Sequence, residues 1–470
     1  MTPPRYFANR IGTSRGISEF IGRIGPDWVE KGLPMSFGMI RLSIFSGIFI
    51  LIAGCGGSGG STGGSGGGGN PTTVTVTFAG ATPTAVATQI GSGAYTTATP
   101  ANTVTLTLPS GTTNFAVAYV CPPINEGTTA NPQMETYESV LEASSLDGSS
   151  FSESCPTAPT TGPTGTTGTL TGTTDGSAIP GASELLIVAN NGTSGASTSA
   201  GVSSASFSMT APAGTDRVAV TASEMTLQGF EEYISLLAVK NFSSQTVPGA
   251  LNGGNTVVLG AADQTVQETI TYQNVPAGFG APSTNVFYLW NGGGGLFVAN
   301  AVTSSYPALP SGATESGDYY SFVATAYSNT TDSMVAVTTN TTSGGSQSFT
   351  FPQPWSYSGP TPAARPSFDL IYSGSSGASN FIDGISIIWI PTLTSESVVN
   401  VSATSKYLNG STTIAVPDLS SLTGFIAPPP SGAYVIWSAE ILQANFSLLQ
   451  ATPSTGTITE VYNGGTFNVP

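Results

Sequence analysis

The 470 residues of this sequence include no histidine, so imidazole acid–base chemistry is unavailable and paired carboxylates are the arrangement left to weigh. Serine and cysteine nucleophiles that need an imidazole partner are therefore unavailable, and so are imidazole-ligated zinc and iron. No serine stands three residues before Lys240 or Lys406, which removes the Ser-x-x-Lys arrangement as well. Two carboxylates about 5–10 Å apart suffice to hydrolyse a glycoside. Glu231, Glu232, Asp318 and Asp369 are the acids that could be paired for it, but no local motif supports any of them. The turn dipeptides Asp147-Gly148, Asp175-Gly176 and Asp383-Gly384 stand alone rather than in an Asp-x-Asp-x-Asp-Gly calcium loop. The string Gly-x-Ser-x-Gly occurs around Ser58 and Ser65, inside a Gly/Ser run with no strand or helix to shape a nucleophile elbow. The expectation is a non-enzymatic chain with no catalytic residue, metal or cofactor.

Aromatic side chains offer binding instead, since sugar rings stack on flat faces. Trp355 and Tyr357, in the Pro-rich loop Pro352-Gln-Pro-Trp-Ser-Tyr357, are the candidate glycan-binding pair. Trp290, Trp389 and Trp437 lie in strand-like runs and are expected in the core. Cys121 and Cys155, each followed by proline, are expected to form a disulfide if the compartment is oxidising. Closing that loop would stabilise the fold by about 3–4 kcal/mol in the chain-entropy model.

The elements that must carry these residues are strands. Charged residues make up 8% of the chain, too few for the polar faces of long helices, while Gly, Ser, Thr and Pro abound. Period-two runs such as Val74-Thr-Val-Thr-Phe78, Thr103-Val-Thr-Leu-Thr-Leu108 and Arg217-Val-Ala-Val-Thr221 put one face inward and one outward. Residues 135–142 (Glu-Thr-Tyr-Glu-Ser-Val-Leu-Glu) are the one stretch that could form a short helix. A strand followed by proline and a second strand recurs at Pro109, Pro212, Pro276, Pro352 and Pro417, with spacings of 103, 64, 76 and 65 residues. The pattern looks like tandem immunoglobulin or fibronectin type III modules, which implies an all-β chain of antiparallel β-sandwiches; a single large β structure is the alternative. The Thr/Gly/Pro stretch of residues 156–167 is the best internal linker. The expected division is sandwiches at 71–158, 159–250, 251–351 and 352–470.

Ahead of them stands an apolar run of 12 residues, Leu42 to Ala53, preceded by Arg41. As a helix it would reach about 18 Å, short of a bilayer core of about 30 Å. It reads as a cleaved signal peptide over 35–54, and residues 1–34 as a mis-annotated extension ahead of a start at Met35 or Met39. The four residues Ile52-Ala53-Gly54-Cys55 resemble the lipobox of bacterial lipoproteins. That resemblance implies cleavage before Cys55, a lipid on its sulfur and a place in the cell envelope outside the cytoplasm. Gly56 rather than aspartate after the cysteine implies the outer membrane, where there is one. Residues 55–70 then form a Gly/Ser tether with a span of about 20 Å.

Six of the ten basic and three of the 26 acidic residues precede Cys55, leaving four against 23, a net charge of −19 beyond it. Such a body repels phosphate runs, so nucleic acid is excluded as a partner. The expected function is that of a membrane-anchored, non-enzymatic lipoprotein with a structural or binding role in the envelope. Its partners are the membrane, through the lipid, and a glycan or envelope protein. Polysaccharide capture is the first alternative and carboxylate glycoside hydrolysis the second.

Overall fold

The computed structural model describes residues 72–125, 134–155, 166–189, 195–199, 204–228, 231–291, 294–355, 357, 359–369, 381–392, 395–446 and 455–470. Cys55, the apolar run and the tether lie outside them. The architecture is all-β, in tandem sandwiches.

The first sandwich shows how the sequence builds them. In β4 (Thr103–Leu108) the residues Val104, Leu106 and Leu108 turn inward and the threonines between them outward. β4 pairs antiparallel with β1 (Thr72–Gly80), whose other edge pairs parallel with β8 (Ser150–Cys155). The facing sheet holds β2 (Ala85–Ile90) between β3 (Thr96–Ala98) and β5 (Asn114–Val120), and β5 pairs with β7 (Met134–Ser144). A two-residue strand, β6 (Ile124–Asn125), joins β7 at one end. Calling the seven main strands a to g in chain order, sheet d-a-g faces sheet c-b-e-f.

The same connectivity returns. The second sandwich uses β9 (Thr167–Asp175), β10 (Glu184–Ala189), β11 (Gly195–Ser199), β12 (Ala205–Pro212), β13 (Gly214–Gln228) and β14 (Glu231–Val247) as a to f. Its g position is shared by β15 (Gly249–Ala250) and β16 (Val257–Val258), both parallel to β9. This sandwich therefore runs past the boundary expected at 250. The third uses β17 (Val266–Gln273), β18 (Ser283–Leu289), β19 (Gly295–Val302), β20 (Ser305–Ala308), β21 (Tyr319–Tyr327), β22 (Ser333–Thr341) and β23 (Gln347–Thr350). In the fourth, β24 (Ser367–Asp369), β25 (Phe381–Thr392), β26 (Ser395–Thr404), β27 (Thr413–Ala415), β28 (Tyr434–Ala444) and β29 (Gly456–Asn468) fill a to f. The a strands begin 95, 99 and 101 residues apart.

That period corrects the proline register. Pro109, Pro212 and Pro417 follow or end d strands, but Pro276 follows an a strand and Pro352 a g strand. The third d strand is instead followed by Leu309-Pro310-Ser311-Gly312, identical to Leu108-Pro109-Ser110-Gly111. With Pro310 in place, the spacings become 103, 98 and 107 residues. Residues 135–142 also differ from the helical reading: they lie in β7, clamped between β5 and a strand of the fourth sandwich. Pairing on both edges overrides a weak local helix preference.

Neighbouring sandwiches share one sheet. β7 pairs parallel with β26, β22 antiparallel with β29, and β14 meets β19 through Ser235 and Ala299. The order in space is thus first, fourth, third, second. β5 shows what this asks of the sequence: Phe115, Val117 and Tyr119 fill the first core, while Ala116 and Ala118 on the opposite face admit the core of the fourth. The third and fourth cores are continuous and contain Trp290, Trp389 and Trp437. Cys121 and Cys155 form a disulfide, with Cα atoms 5.4 Å apart, linking the end of β5 to that of β8.

Among the described residues, no strand pairs with the free edge of β24. Trp355 and Tyr357 sit there instead. Tyr357 stacks on Trp355 at 5.0 Å between centroids and stands edge-on to Trp437. Its hydroxyl accepts the Asp369 amide (3.3 Å), on the edge that elsewhere faces a g strand. Asn463 Nδ2 binds both main-chain oxygens, at 3.3 Å from Trp355 and 3.1 Å from Tyr357. Trp355→Ala is expected to cost about 3–5 kcal/mol through the cavity it leaves, measured by denaturant unfolding; a loss under 1 kcal/mol would contradict this placement.

Buried carboxyls set the pH response. Burial pushes Glu142 and Glu153 up to about 7. Burial also raises Glu440 and Glu460, and Glu440 adds its repulsion to the rise at Glu460. A carboxyl raised in the fold contributes stability that is complete below its unfolded value, about 4.3, and is lost as pH climbs towards the folded value. Thermal stability is therefore expected to fall between pH 5 and pH 7. The Glu440→Gln/Glu460→Gln double variant should flatten that decline; an unaltered slope would refute the assignment.

Candidate functional site

The residues singled out for chemistry are dispersed. Asp318 is engaged by Arg217 and Asp369 accepts the Thr412 hydroxyl at 2.7 Å. Asp147 accepts Thr404 Oγ1 at 2.6 Å, and Asp175 accepts the Ser177 amide at 2.9 Å. Glu231 and Glu232 lie near the tip of the β13–β14 hairpin, where only their backbone is described. Among the described residues no three acidic or cysteine side chains gather as a metal-binding group would. Trp355 is 4% exposed and Trp290, Trp389 and Trp437 are equally enclosed, so none offers an open ring face. The loop expected to present Trp355 and Tyr357 to solvent instead buries Trp355 in the fourth core and packs Tyr357 against it, along the edge of β24 that no described strand covers.

A concave site does exist where the second sandwich meets the third. It is an open groove of about 290 Å³ between the β13–β14 hairpin and the turn from β19 to β20. Glu224, Thr226, Tyr233 and Ser235 line one wall, and Thr303 and Ser304 the other. Among the described residues the hydroxyls of Thr226, Ser235, Thr303 and Ser304 have no protein partner. The groove is polar, and among the described residues its lining carries one carboxylate and no cation.

The second wall is held from behind. Ala301 adopts φ 51°, a left-handed conformation that costs a residue with a β-carbon about 1–2 kcal/mol. Side chains and backbone fix it there: Asn285 Oδ1 accepts the Ala301 amide (3.1 Å) and Asn300 Oδ1 accepts the Ile234 amide across the groove floor (2.7 Å). The Tyr272 hydroxyl donates to the Val302 oxygen at 2.8 Å, and the Ile270 amide to the Ser304 oxygen at 2.8 Å. With the backbone so committed, the hydroxyls of Thr303 and Ser304 are left for solvent or ligand.

The two walls belong to different sandwiches, so their separation depends on the junction between them. Arg217 of β13 reaches Asp318, just before β21, through two parallel bonds of 3.0 and 2.8 Å. Its guanidinium carbon lies 4.8 Å from the centre of the Trp290 ring, and Nε is 3.5 Å from Glu315. Asp318 also accepts the Tyr288 hydroxyl and the Asn291 amide, both at 2.8 Å. Burial opposes both charges, but these partners outweigh it, holding Asp318 below the usual carboxylate range and Arg217 above its ordinary value. Asn241 Nδ2 binds the Ala313 oxygen nearby.

Nothing in the sequence marks the groove. Thr303 and Ser304 belong to one of many hydroxyl runs, and Asn285 within β18 and Asn300 within β19 act through spatial neighbours.

No family model matches the chain, and no curated protein matches it. Among solved structures, a C-terminally truncated tip fimbrial protein Mfa3 from Porphyromonas gingivalis is 12% identical, covering 34% of this chain and 78% of that one, with a TM-score of 0.15. A protein described as an adhesin from Bacteroides ovatus is 7% identical, covering 34% of this chain and 72% of that one, with a TM-score of 0.13. Superpositions at these scores carry no argument about this chain.

Asp318→Asn leaves Arg217 buried beside a neutral partner and is expected to cost about 3 kcal/mol, measured by urea unfolding near neutral pH. Because the Asp318 pKa is lowered in the fold, its contribution is present above the unfolded value and lost as pH falls through the folded one. The gap between wild type and variant should therefore close in acid; a gap independent of pH would contradict the pairing.

Proposed function

We propose that this chain is a membrane-tethered, non-enzymatic protein of the cell envelope, held by a lipid on Cys55, whose fused sandwiches present a ligand groove at a distance from the membrane. The observation that carries this reading is the continuity of one sheet through the four sandwiches, with buried Arg–carboxylate contacts at two junctions. A body joined in this way holds a binding surface in fixed orientation, which reduces the ordering cost of binding. The absence of histidine from the sequence and the dispersal of the described carboxylates support a binding rather than a catalytic role. The net charge of −19 beyond Cys55 keeps such a body soluble and clear of anionic headgroups. Two or three acyl chains, at about 0.8 kcal/mol per buried methylene, suffice for stable anchoring.

Replacing Cys55 tests the anchor. Wild-type protein is expected in the membrane fraction and in the detergent phase after phase separation, and Cys55→Ala in neither as mature protein. Mass spectrometry should find the N-terminal peptide of the mature wild type beginning at an acylated residue 55. An unmodified thiol on mature, water-soluble protein would refute the proposal.

A further inference from the structure

We infer that the groove between the second and third sandwiches takes a neutral pyranoside, a sugar ring bound through its hydroxyls; this rests on reading the chain as a binding protein. Three observations converge on that ligand class. First, the lining matches a polyol. The hydroxyls of Thr226, Ser235, Thr303 and Ser304 lie on opposing walls without protein partners, each able both to donate and to accept. Glu224 supplies a carboxylate whose two oxygens suit a pair of adjacent sugar hydroxyls, and Tyr233 adds an aromatic side chain. Second, the charge selects against alternatives. Among the described residues no Lys or Arg lines the groove, so a phosphate, sulfate or carboxylate ligand would meet Glu224 uncompensated. An apolar ligand would strip water from every one of those hydroxyls without returning a hydrogen bond, at about 1–3 kcal/mol each.

Third, size and rigidity fit. About 290 Å³ is at the lower end of the range for small-molecule sites, room for one sugar ring and part of the next. The left-handed Ala301 and the bonds from Asn285, Tyr272 and Ile270 hold the far wall in place before any ligand arrives. Backbone strain fixed by its surroundings is a recurring feature of ligand sites. The four tryptophans of the described residues, Trp290, Trp355, Trp389 and Trp437, are enclosed and have no part in this recognition.

The test uses the full mature chain in detergent micelles and saturation-transfer difference NMR. The probes are maltose, cellobiose, lactose, mannobiose and chitobiose, with sialyllactose as the anionic comparator. At least one neutral disaccharide is expected to bind with a millimolar or tighter Kd, and sialyllactose at least tenfold more weakly than its neutral parent, lactose. Thr303→Val/Ser304→Ala and, separately, Tyr233→Ala should each weaken the neutral sugar at least tenfold. Ser420→Ala, distant on an exposed turn, should leave it unchanged, and an unaltered thermal transition in each variant verifies the fold. Absence of binding by all five neutral sugars, binding indifferent to the groove variants, or preference for sialyllactose would each overturn the inference. The anchoring result at Cys55 is independent of these outcomes, so failure of the ligand class and failure of the envelope reading are told apart.

Discussion

Open strand edges are the constraint on which this structure depends. Each sandwich exposes the outer N–H and C=O groups of its c and f strands, and an exposed row of such groups invites pairing with whatever strand is near. The chain satisfies much of that demand internally, by setting f of the first sandwich against c of the fourth and f of the third against f of the fourth. A single bridge, Ser235 to Ala299, does the same between the second and third. The order in space follows from this pairing and not from the order along the chain.

Sheet pairing fixes neighbours only in the plane of the strands, and buried charge secures two of the junctions. Arg217 with Asp318 ties the second sandwich to the third, and Arg365 lies near Glu138 where the first meets the fourth. Arg365 also donates to the Ile426 oxygen at 2.8 Å, while Glu138 accepts the Ile426 amide at 2.8 Å. The two junctions differ in balance: partners hold the Asp318 carboxyl below the usual carboxylate range, whereas burial raises Glu138 and lowers Arg365. Of the cations beyond Cys55, two are thus spent on holding sandwiches together, in a chain that has only four there to use. The groove inherits its rigidity from the better-satisfied of the pair.

Much of the fold was legible where alternation is strict. The pattern of β4 gives its inward face residue by residue, and the prolines after d strands mark real turns. Legibility ended where distant strands decide. Residues 135–142 look locally ambivalent and become a strand only because β5 and β26 flank them. Pro276 and Pro310 both follow strands, and only the ladder tells which belongs to the repeat. A Pro-rich loop reads as exposed, yet Trp355 is drawn inward because β24 has no paired g strand among the described residues. The groove was out of reach for a similar reason: its walls come from two sandwiches, and its side chains are the commonest residues of the chain.

Adjacency of the first and fourth sandwiches is the part of this account with the longest reach in sequence and the most to lose. Ser139 of β7 and Asn400 of β26 are register partners, both half-buried. Ser139→Cys combined with Asn400→Cys, oxidised in dilute protein and mapped by mass spectrometry, tests it directly. An intramolecular disulfide between positions 139 and 400 is the expected product. Two free thiols, or cross-links formed only between molecules, would show that these strands do not meet and that the continuous sheet is wrong.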